Sequence, residues 1–328
     1  MKNFFLTFIS LIFLGLAGAA IAFGLGAHFY LNKGPLEEPK LVLIEQGMGV
    51  SQIARKLEQE QVIHNAFLFK IVTRFSESLK AGEYEFDPHI SMAATIQKMQ
   101  EGDVFDRKIT IVEGLTVQQI VKRLNERDDL SGEIERLPKE GSLLPNTYQF
   151  VKGETRQGMI DRMQNNMNEA IEEYWPQRAS NLPFQTKDEA IILASIIEKE
   201  TSVPKERAKV AGVFINRLNI GMPLQTDPTV IYAITKGDIE EEGRGPLGRR
   251  LLKKDLEYDS PYNTYKYPGL PPGPIANPGS DSIKAALNPA DHDYLYFVAD
   301  GTGGHAFGKT LAEHNRNVAE WRKIRSSQ

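Results

Sequence analysis

From Asn3 to Asn32 the chain has no fully charged side chain and is dominated by Phe, Leu, Ile, Ala and Gly. A helix needs about 20 apolar residues to cross a bilayer core, and this run is longer. A cleaved signal sequence has a shorter apolar core ending in a small-residue site. Ala17-Gly18-Ala19 and Ala20-Ile21-Ala22 could pass as such sites, but the run continues through Phe23, Leu25, Phe29 and Leu31. The pattern therefore predicts an uncleaved anchor over residues 4–31. Lys2 favours a cytoplasmic N-terminus, which places the body of the protein outside the cytoplasmic membrane, and in a periplasm if the cell has an outer membrane.

After a polar linker the pattern changes to short alternating and helical stretches. Leu41–Ile44 reads as a strand. Ile53, Ala54 and Leu57 mark one helix, and Phe67, Leu68, Ile71 and Val72 mark a second. Leu79–Phe86 turns into another strand, and Ser91 caps a helix that stops at Gly102. The order strand–helix–helix–strand–helix resembles a LysM-like module, a sugar-polymer-binding class. The alternative is a spacer that holds the rest of the chain off the membrane.

Beyond residue 106 the spacing predicts a larger mixed domain. Lys108–Val112 alternates as a strand. Val117, Ile120, Val121 and Leu124 form a helical stripe. The Gly/Pro loop Glu140–Phe150 delivers Tyr148 and Phe150 to a core. Helices are expected over Gln157–Trp175, Lys187–Thr201, Pro204–Asn219 and Ser282–Leu287, a buried strand over Tyr294–Val298, a return strand over His305–Phe307, and a last helix over Leu311–Arg325. The charged, glycine-rich stretch Lys236–Asp259 reads as a mobile, solvated excursion. The fold class is α+β: a transmembrane helix (1–33), a LysM-like module (34–105) and a larger mixed catalytic domain (106–328).

One helix carries candidate chemistry. Thr186 with Glu189 three residues on is a capping box. Ile191, Ile192, Leu193, Ile196 and Ile197 centre on one face, and Glu200 falls near the middle of that face, while Glu198 and Lys199 fall away as solvated or structural groups. A carboxyl among apolar groups at a helix C-terminus keeps its proton near neutral pH, as a general acid must. The plain alternative is a surface glutamate where a helix leaves the core.

Downstream, Gln225, Thr226 and Asp227 put an amide, a hydroxyl and a carboxylate in one loop. They suit sugar hydroxyls and N-acetyl groups, or equally a helix start with Asp227 as N-cap and Pro228 first in the helix. The Ser260–Ile275 loop combines Tyr262, Asn263, Tyr265 and Tyr267 with prolines that rigidify it. Composition narrows the chemistry. Net charge is −4, against nucleic acid as a partner. Absence of cysteine excludes disulfides and thiolate chemistry, and the six histidines lack zinc-site spacing, so no metal or cofactor is expected.

ASIIEKET (194–201), VFINRL (213–218), LQTDPTVIY (224–232), YNTY (262–265), GLPPGPI (269–275) and LYFVADGTGGHAF (295–307) together resemble the endolytic murein transglycosylases. The resemblance extends over the anchor and first module. It implies a bitopic membrane enzyme that cuts peptidoglycan between N-acetylmuramic acid and N-acetylglucosamine inside the strand. The cut is non-hydrolytic: the muramyl C6 hydroxyl attacks C1 and leaves a 1,6-anhydro end. It further implies termination of nascent strands, association with peptidoglycan synthases, and a catalytic role for Glu200, the second glutamate of the EKE motif. Gln225, Thr226, Asp227, Asn263 and Tyr265 are the candidates for holding sugars and stabilising positive charge. Two other readings remain: a two-carboxylate hydrolase using Glu200 with Asp227, and an inactive membrane-anchored glycan-binding scaffold.

Overall fold

The computed structural model describes residues 2–74, 77–237 and 247–326, with the backbone alone for residues 2–12 and 22. The chain divides into two compact units, Met1–Lys108 with Gln149–Lys152, and Ile109–Tyr148 with Gly153–Gln328. It is a mixed α+β protein, and its described strands form three two-stranded sheets.

The first unit opens with helix α1 (Lys2–Leu31). Its window Phe13–Leu31 is long and apolar enough to cross a membrane. Then come β1 (Lys40–Ile44), α2 (Val50–Gln59), α3 (Ala66–Thr73), β2 (Gly82–Phe86) and α4 (Met92–Glu101). β1 and β2 pair antiparallel with Val42 opposite Tyr84. The period of two turns Val42, Ile44, Tyr84 and Phe86 to one buried face. Ile53, Leu57, Phe69, Ile96 and Met99 from the three short helices close over that face. Ser91 caps α4 through its hydroxyl, and Gly102 ends it in the left-handed region at φ 75°.

β3 (Arg107–Thr110) pairs with β4 (Thr147–Phe150). Between them lies α5 (Val117–Asn125), begun by a capping box of Thr116 and Gln119. The second unit continues through α6 (Arg156–Tyr174), α7 (Lys187–Glu200), α8 (Arg207–Asn219), α9 (Asp227–Thr235), α10 (Ser280–Leu287), β5 (Tyr296–Ala299), β6 (His305–Gly308) and α11 (Leu311–Ser326). β5 and β6 form an antiparallel hairpin.

α7 is the centre of this unit. Its capping box, Thr186 with Glu189, forms as its sequence predicts. Every residue from Ala190 to Ile197 is buried, so the helix has no outward face along those two turns. The single apolar stripe expected from the wheel is therefore a helix enclosed by neighbours, with α10, α8 and α9 packed on it. Each buried Ile or Leu contributes about 2 kcal/mol. Ser195, inside that shell, donates to Ile192 O at 2.7 Å and accepts from the Ile275 N–H at 3.0 Å. One hydroxyl thus ties the proline-rich loop to the central helix.

One expectation is corrected and two are made specific. The strand expected as buried over Tyr294–Val298 is β5, and its residues are only half-buried because it borders a cleft. Glu198, expected as solvated or structural, is structural: its side chain is 6% exposed, accepts from the Gly279 N–H at 3.0 Å and faces Arg207 Nη2 at 3.6 Å. Of the stretch expected as a solvated excursion, residues 238–246 lie outside the described residues. The part from Leu247 to Asp259 is largely exposed, as expected, around a buried Asp255 that accepts two hydrogen bonds from Arg249 and one from the Leu252 N–H.

Gly141 follows from the same packing. Its φ is +75°, and a Cβ there would lie 2.6 Å from Pro274 and 3.0 Å from Ile191 Cγ2. Gly141→Ala is expected to cost about 3 kcal/mol, lowering the melting temperature by roughly 8 °C. Gly221→Ala, at φ +67° with open space around it, is the comparison. It carries only the backbone strain, about 1 kcal/mol. Thermal melts followed by near-ultraviolet circular dichroism separate the two; equal losses would remove the steric argument.

Candidate active site

α7 ends at Glu200, just where its apolar enclosure opens. The carboxyl faces a cleft of about 480 Å³ lined by Glu200, Arg217, Gln225, Asp227, Tyr265 and Tyr296, among others. Glu200 is half-buried. Burial raises its pKa to about 7, because the low-dielectric surroundings penalise the charged form. Nearby Asp227 pushes the same way, while the Thr226 hydroxyl, His305 and Arg217 pull back.

The closest partner is Thr226, whose Oγ1 donates to Glu200 Oε1. Thr226 is also the N-cap of α9, with Asp227 the first helical residue. This shifts the expected cap by one residue, and the physical reason is visible. The Thr226 hydroxyl, which ordinarily accepts from the helix's first N–H groups, is turned onto Glu200 instead. Thr226 itself is 2% exposed and firmly held. Its N–H donates to Thr264 Oγ1 at 3.1 Å, and its carbonyl accepts from Thr229 Oγ1 at 2.7 Å. Thr229 and Thr264 hydroxyls meet at 2.9 Å, completing a buried hydroxyl ladder behind the catalytic candidate.

The other expected residues divide. Gln225 is exposed in the cleft wall, with φ +50°, a left-handed conformation that a non-glycine residue adopts at a cost. Its N–H is fixed on Thr264 O at 3.1 Å. Asp227 is exposed beside it and accepts from Tyr265 OH at 2.6 Å. Asn263 is fully buried. Its amide donates to Leu256 O and Tyr258 O, and its side-chain oxygen accepts from the Tyr265 N–H. Asn263 shapes the loop that presents Tyr265 and does not line the cleft.

Several groups at the site carried no individual signal in the sequence. Arg217, on α8, is 7% exposed. It donates through Nε to Leu295 O at 2.7 Å and through Nη1 to Leu224 O at 2.6 Å, tying the Gln225 loop to β5. Its guanidinium lies 5.5 Å from the Tyr296 ring centre, and Tyr296 stacks on His314 of α11 at 5.3 Å. Burial and the Arg217 charge both lower the His314 pKa, which favours neutral imidazole. His305 Nδ1 sits 2.7 Å from Glu206 Oε2, and since a carboxylate only accepts, Nδ1 carries the proton. The helical spacing around Arg217 marks α8, but its partners Leu295 and Tyr296 lie about 80 residues away in sequence, beyond any local pattern.

A second carboxyl, Glu140, is also raised to about 7 by burial. It serves the fold. The Val117 N–H at the start of α5 and the Asn277 amide each donate to its Oε1 at 3.0 Å, and Tyr232 OH reaches Oε2 at 3.4 Å. Glu200, by contrast, stands over polar walls suited to hydroxyls and amides.

Known proteins share this arrangement of sequence. An endolytic murein transglycosylase of Bacillus subtilis (strain 168) is 36% identical over 307 residues, covering 83% of this chain and 82% of that protein. One from Streptococcus pneumoniae serotype 2 (strain D39) is 30% identical over 328 residues, covering 84% of this chain and 57% of that longer protein. A crystal structure of a yceG-like protein from Listeria monocytogenes aligns with a TM-score of 0.51 at 36% identity, covering 85% of this chain and 99% of that one. The profile of the YceG-like family matches residues 42–320, a span that holds every residue lining the Glu200 cleft, and the chain belongs to that family.

Proposed function

We propose that this chain is an endolytic murein transglycosylase, an enzyme acting on peptidoglycan, with Glu200 as its catalytic acid and base. The observation that carries the reading is one carboxyl with a pKa of about 7 at the mouth of a cleft walled by amide, hydroxyl and aromatic groups. The names of the relatives agree with it.

Protonated Glu200 donates its proton to the glycosidic oxygen as the bond from C1 of N-acetylmuramic acid breaks. The resulting carboxylate takes the proton from the muramyl C6 hydroxyl, whose oxygen bonds to C1 and closes a 1,6-anhydro ring. Atoms balance without water, and Glu200 ends as it began. The nucleophile belongs to the substrate, so intramolecular attack carries the entropic advantage that a second protein carboxylate supplies in ordinary glycosidases. Asp227, held by Tyr265, faces the positive charge that develops at C1, and Gln225 offers an amide to the sugars. Thr226 sets the basicity of Glu200. We read α1 as the anchor, with the cytoplasm on its N-terminal side, and the first unit as a LysM-like glycan-binding module. The same reading places the enzyme beside peptidoglycan synthases, where it terminates nascent strands.

Three outcomes test this. Purified wall digested by the protein should yield glycan ends lighter by one water than reducing ends. Glu200→Gln should reduce their release by about 10³-fold or more. Reducing ends would instead favour hydrolysis by Glu200 with Asp227, and anhydro ends from the variant at wild-type rate would remove Glu200 from the mechanism.

The free enzyme must hold a proton on Glu200, so kcat/KM should fall as pH rises through about 7. Thr226→Val removes a donor that favours the carboxylate. It should move that limb upward by about one pH unit, and Thr226→Ser should restore it. An unmoved limb would detach Thr226 from the titration.

The raised pKa also affects stability. The folded protein binds this proton more tightly than the unfolded chain, so stability is lost as pH rises from 4.5, the ordinary value, to about 7. At pH 8 Glu200→Gln should be more stable than wild type by about 2–3 kcal/mol, and at pH 4 equal to it. Denaturant melts at the two pH values measure the difference.

A further inference from the structure

Helix α3 has three faces. Ala66, Phe69 and Thr73 point into the core of the first unit. Leu68 turns to α1, where its Cδ1 lies 3.8 Å from the position a Cβ would take on Gly26. The third face, at i, i+3, i+4 and i+7, consists of Phe67, Lys70, Ile71 and Arg74, all exposed. Phe67 is 71% and Ile71 46% exposed to solvent, a large apolar pair that the fold leaves uncovered.

Position gives this face a partner. α1 has 30 residues, about 45 Å at 1.5 Å per residue, which matches a bilayer including both headgroup layers rather than its hydrocarbon core of about 30 Å. The last two turns of α1 therefore lie at headgroup level. Those turns are where the first unit is attached. Phe29 packs edge-on to His64 at 5.5 Å, His64 Nε2 meets Lys33 O at 3.3 Å, and Tyr30 packs on the unit's core. The Gly34 N–H donates to Ile90 O at 3.1 Å, so the chain leaves α1 straight into the unit without a free linker. α3 is thus held beside the exit of α1, with two apolar and two basic side chains on its open face.

We propose that α3 is a membrane-surface helix. Its Phe67–Ile71 pair enters the interfacial layer of an anionic bilayer, and Lys70 and Arg74 meet lipid phosphates. An interfacial helix needs this combination of apolar insertion and basic attraction. The inference rests on α1 being the anchor, and it fixes the first unit on the membrane surface rather than on a mobile stalk.

The chain has no cysteine, so single introduced cysteines carry unique nitroxide labels. The full-length protein is placed in lipid discs of phosphatidylglycerol and phosphatidylethanolamine, labelled in turn at Phe67→Cys, Ile71→Cys and, within α1, Leu16→Cys. Collision with oxygen reports lipid, and collision with a water-soluble nickel chelate reports solvent. At positions 67 and 71 nickel collision should be at least about threefold lower than for free label, and Lys70→Glu with Arg74→Glu should restore it. Labels at 67 and 71 as open to nickel as free label, with the Leu16 label in hydrocarbon, would overturn the proposal and leave the anchor standing. A water-exposed Leu16 label would overturn the anchor reading and the proposal with it.

Discussion

A carboxyl group closes a helix in which the eight residues from Ala190 to Ile197 are all buried, and the second unit is arranged around that fact. Holding Glu200 near pH 7 rather than 4.5 costs about 3 kcal/mol whenever it ionises. Five buried Ile and Leu side chains on the same helix contribute about 2 kcal/mol each, so the helix stays seated in either protonation state. The neighbours then trim the value. Thr226 forgoes its usual capping role to donate to Glu200, and α9 starts with proline at its second position, where no N–H is lost to the ladder.

Rigidity around that carboxyl comes from neutral groups more than from ion pairs. Thr226, Thr229 and Thr264 satisfy one another behind the cleft, and Ser195 fastens the proline loop to α7. Such a network is strong because every member is paired in a dry environment. Among the described residues Arg217 is the one buried cation at the wall, and backbone carbonyls of Leu224 and Leu295 occupy its Nη1 and Nε. It acts as a strut between two walls. The left-handed Gln225 is held between that strut and Thr264, so its strain is offset by neighbours on both sides.

Local signals in the sequence reached the elements and the central glutamate. The capping boxes at Thr116 and Thr186, the stop at Gly102 and the period-two strands are all short-range effects, and they form. The wheel pointed Glu200 into the core from spacing alone, yet it could not show that α7 is enclosed on every side, because that depends on α8, α9 and α10 closing around it. Nor could it place Asn263, whose polarity suggested a sugar contact while its amide is consumed by its own loop. Arg217, His305 and His314 were illegible for one reason: their meaning comes from partners on distant elements. Glu198, which spacing leaves as either solvated or structural, is made structural by Arg207 from α8.

The placement of Asp227 bears on why one titrating carboxyl suffices in the proposed reaction. A cleaving bond at C1 leaves positive charge on the sugar, which an exposed carboxylate in the same cleft stabilises without forming a bond. Asp227 accepts from Tyr265 OH at 2.6 Å, and its charge pushes Glu200 towards the protonated form. The two carboxyls differ in environment: Glu200 is half-buried at the end of α7, and Asp227 is exposed. Arg217 opposes Asp227: it lines the same cleft and its charge pulls Glu200 towards the carboxylate, while backbone carbonyls and the Tyr296 face hold the guanidinium in place. Arg217 is thus both a rigid strut of the wall and a counterweight to Asp227 in setting the Glu200 proton.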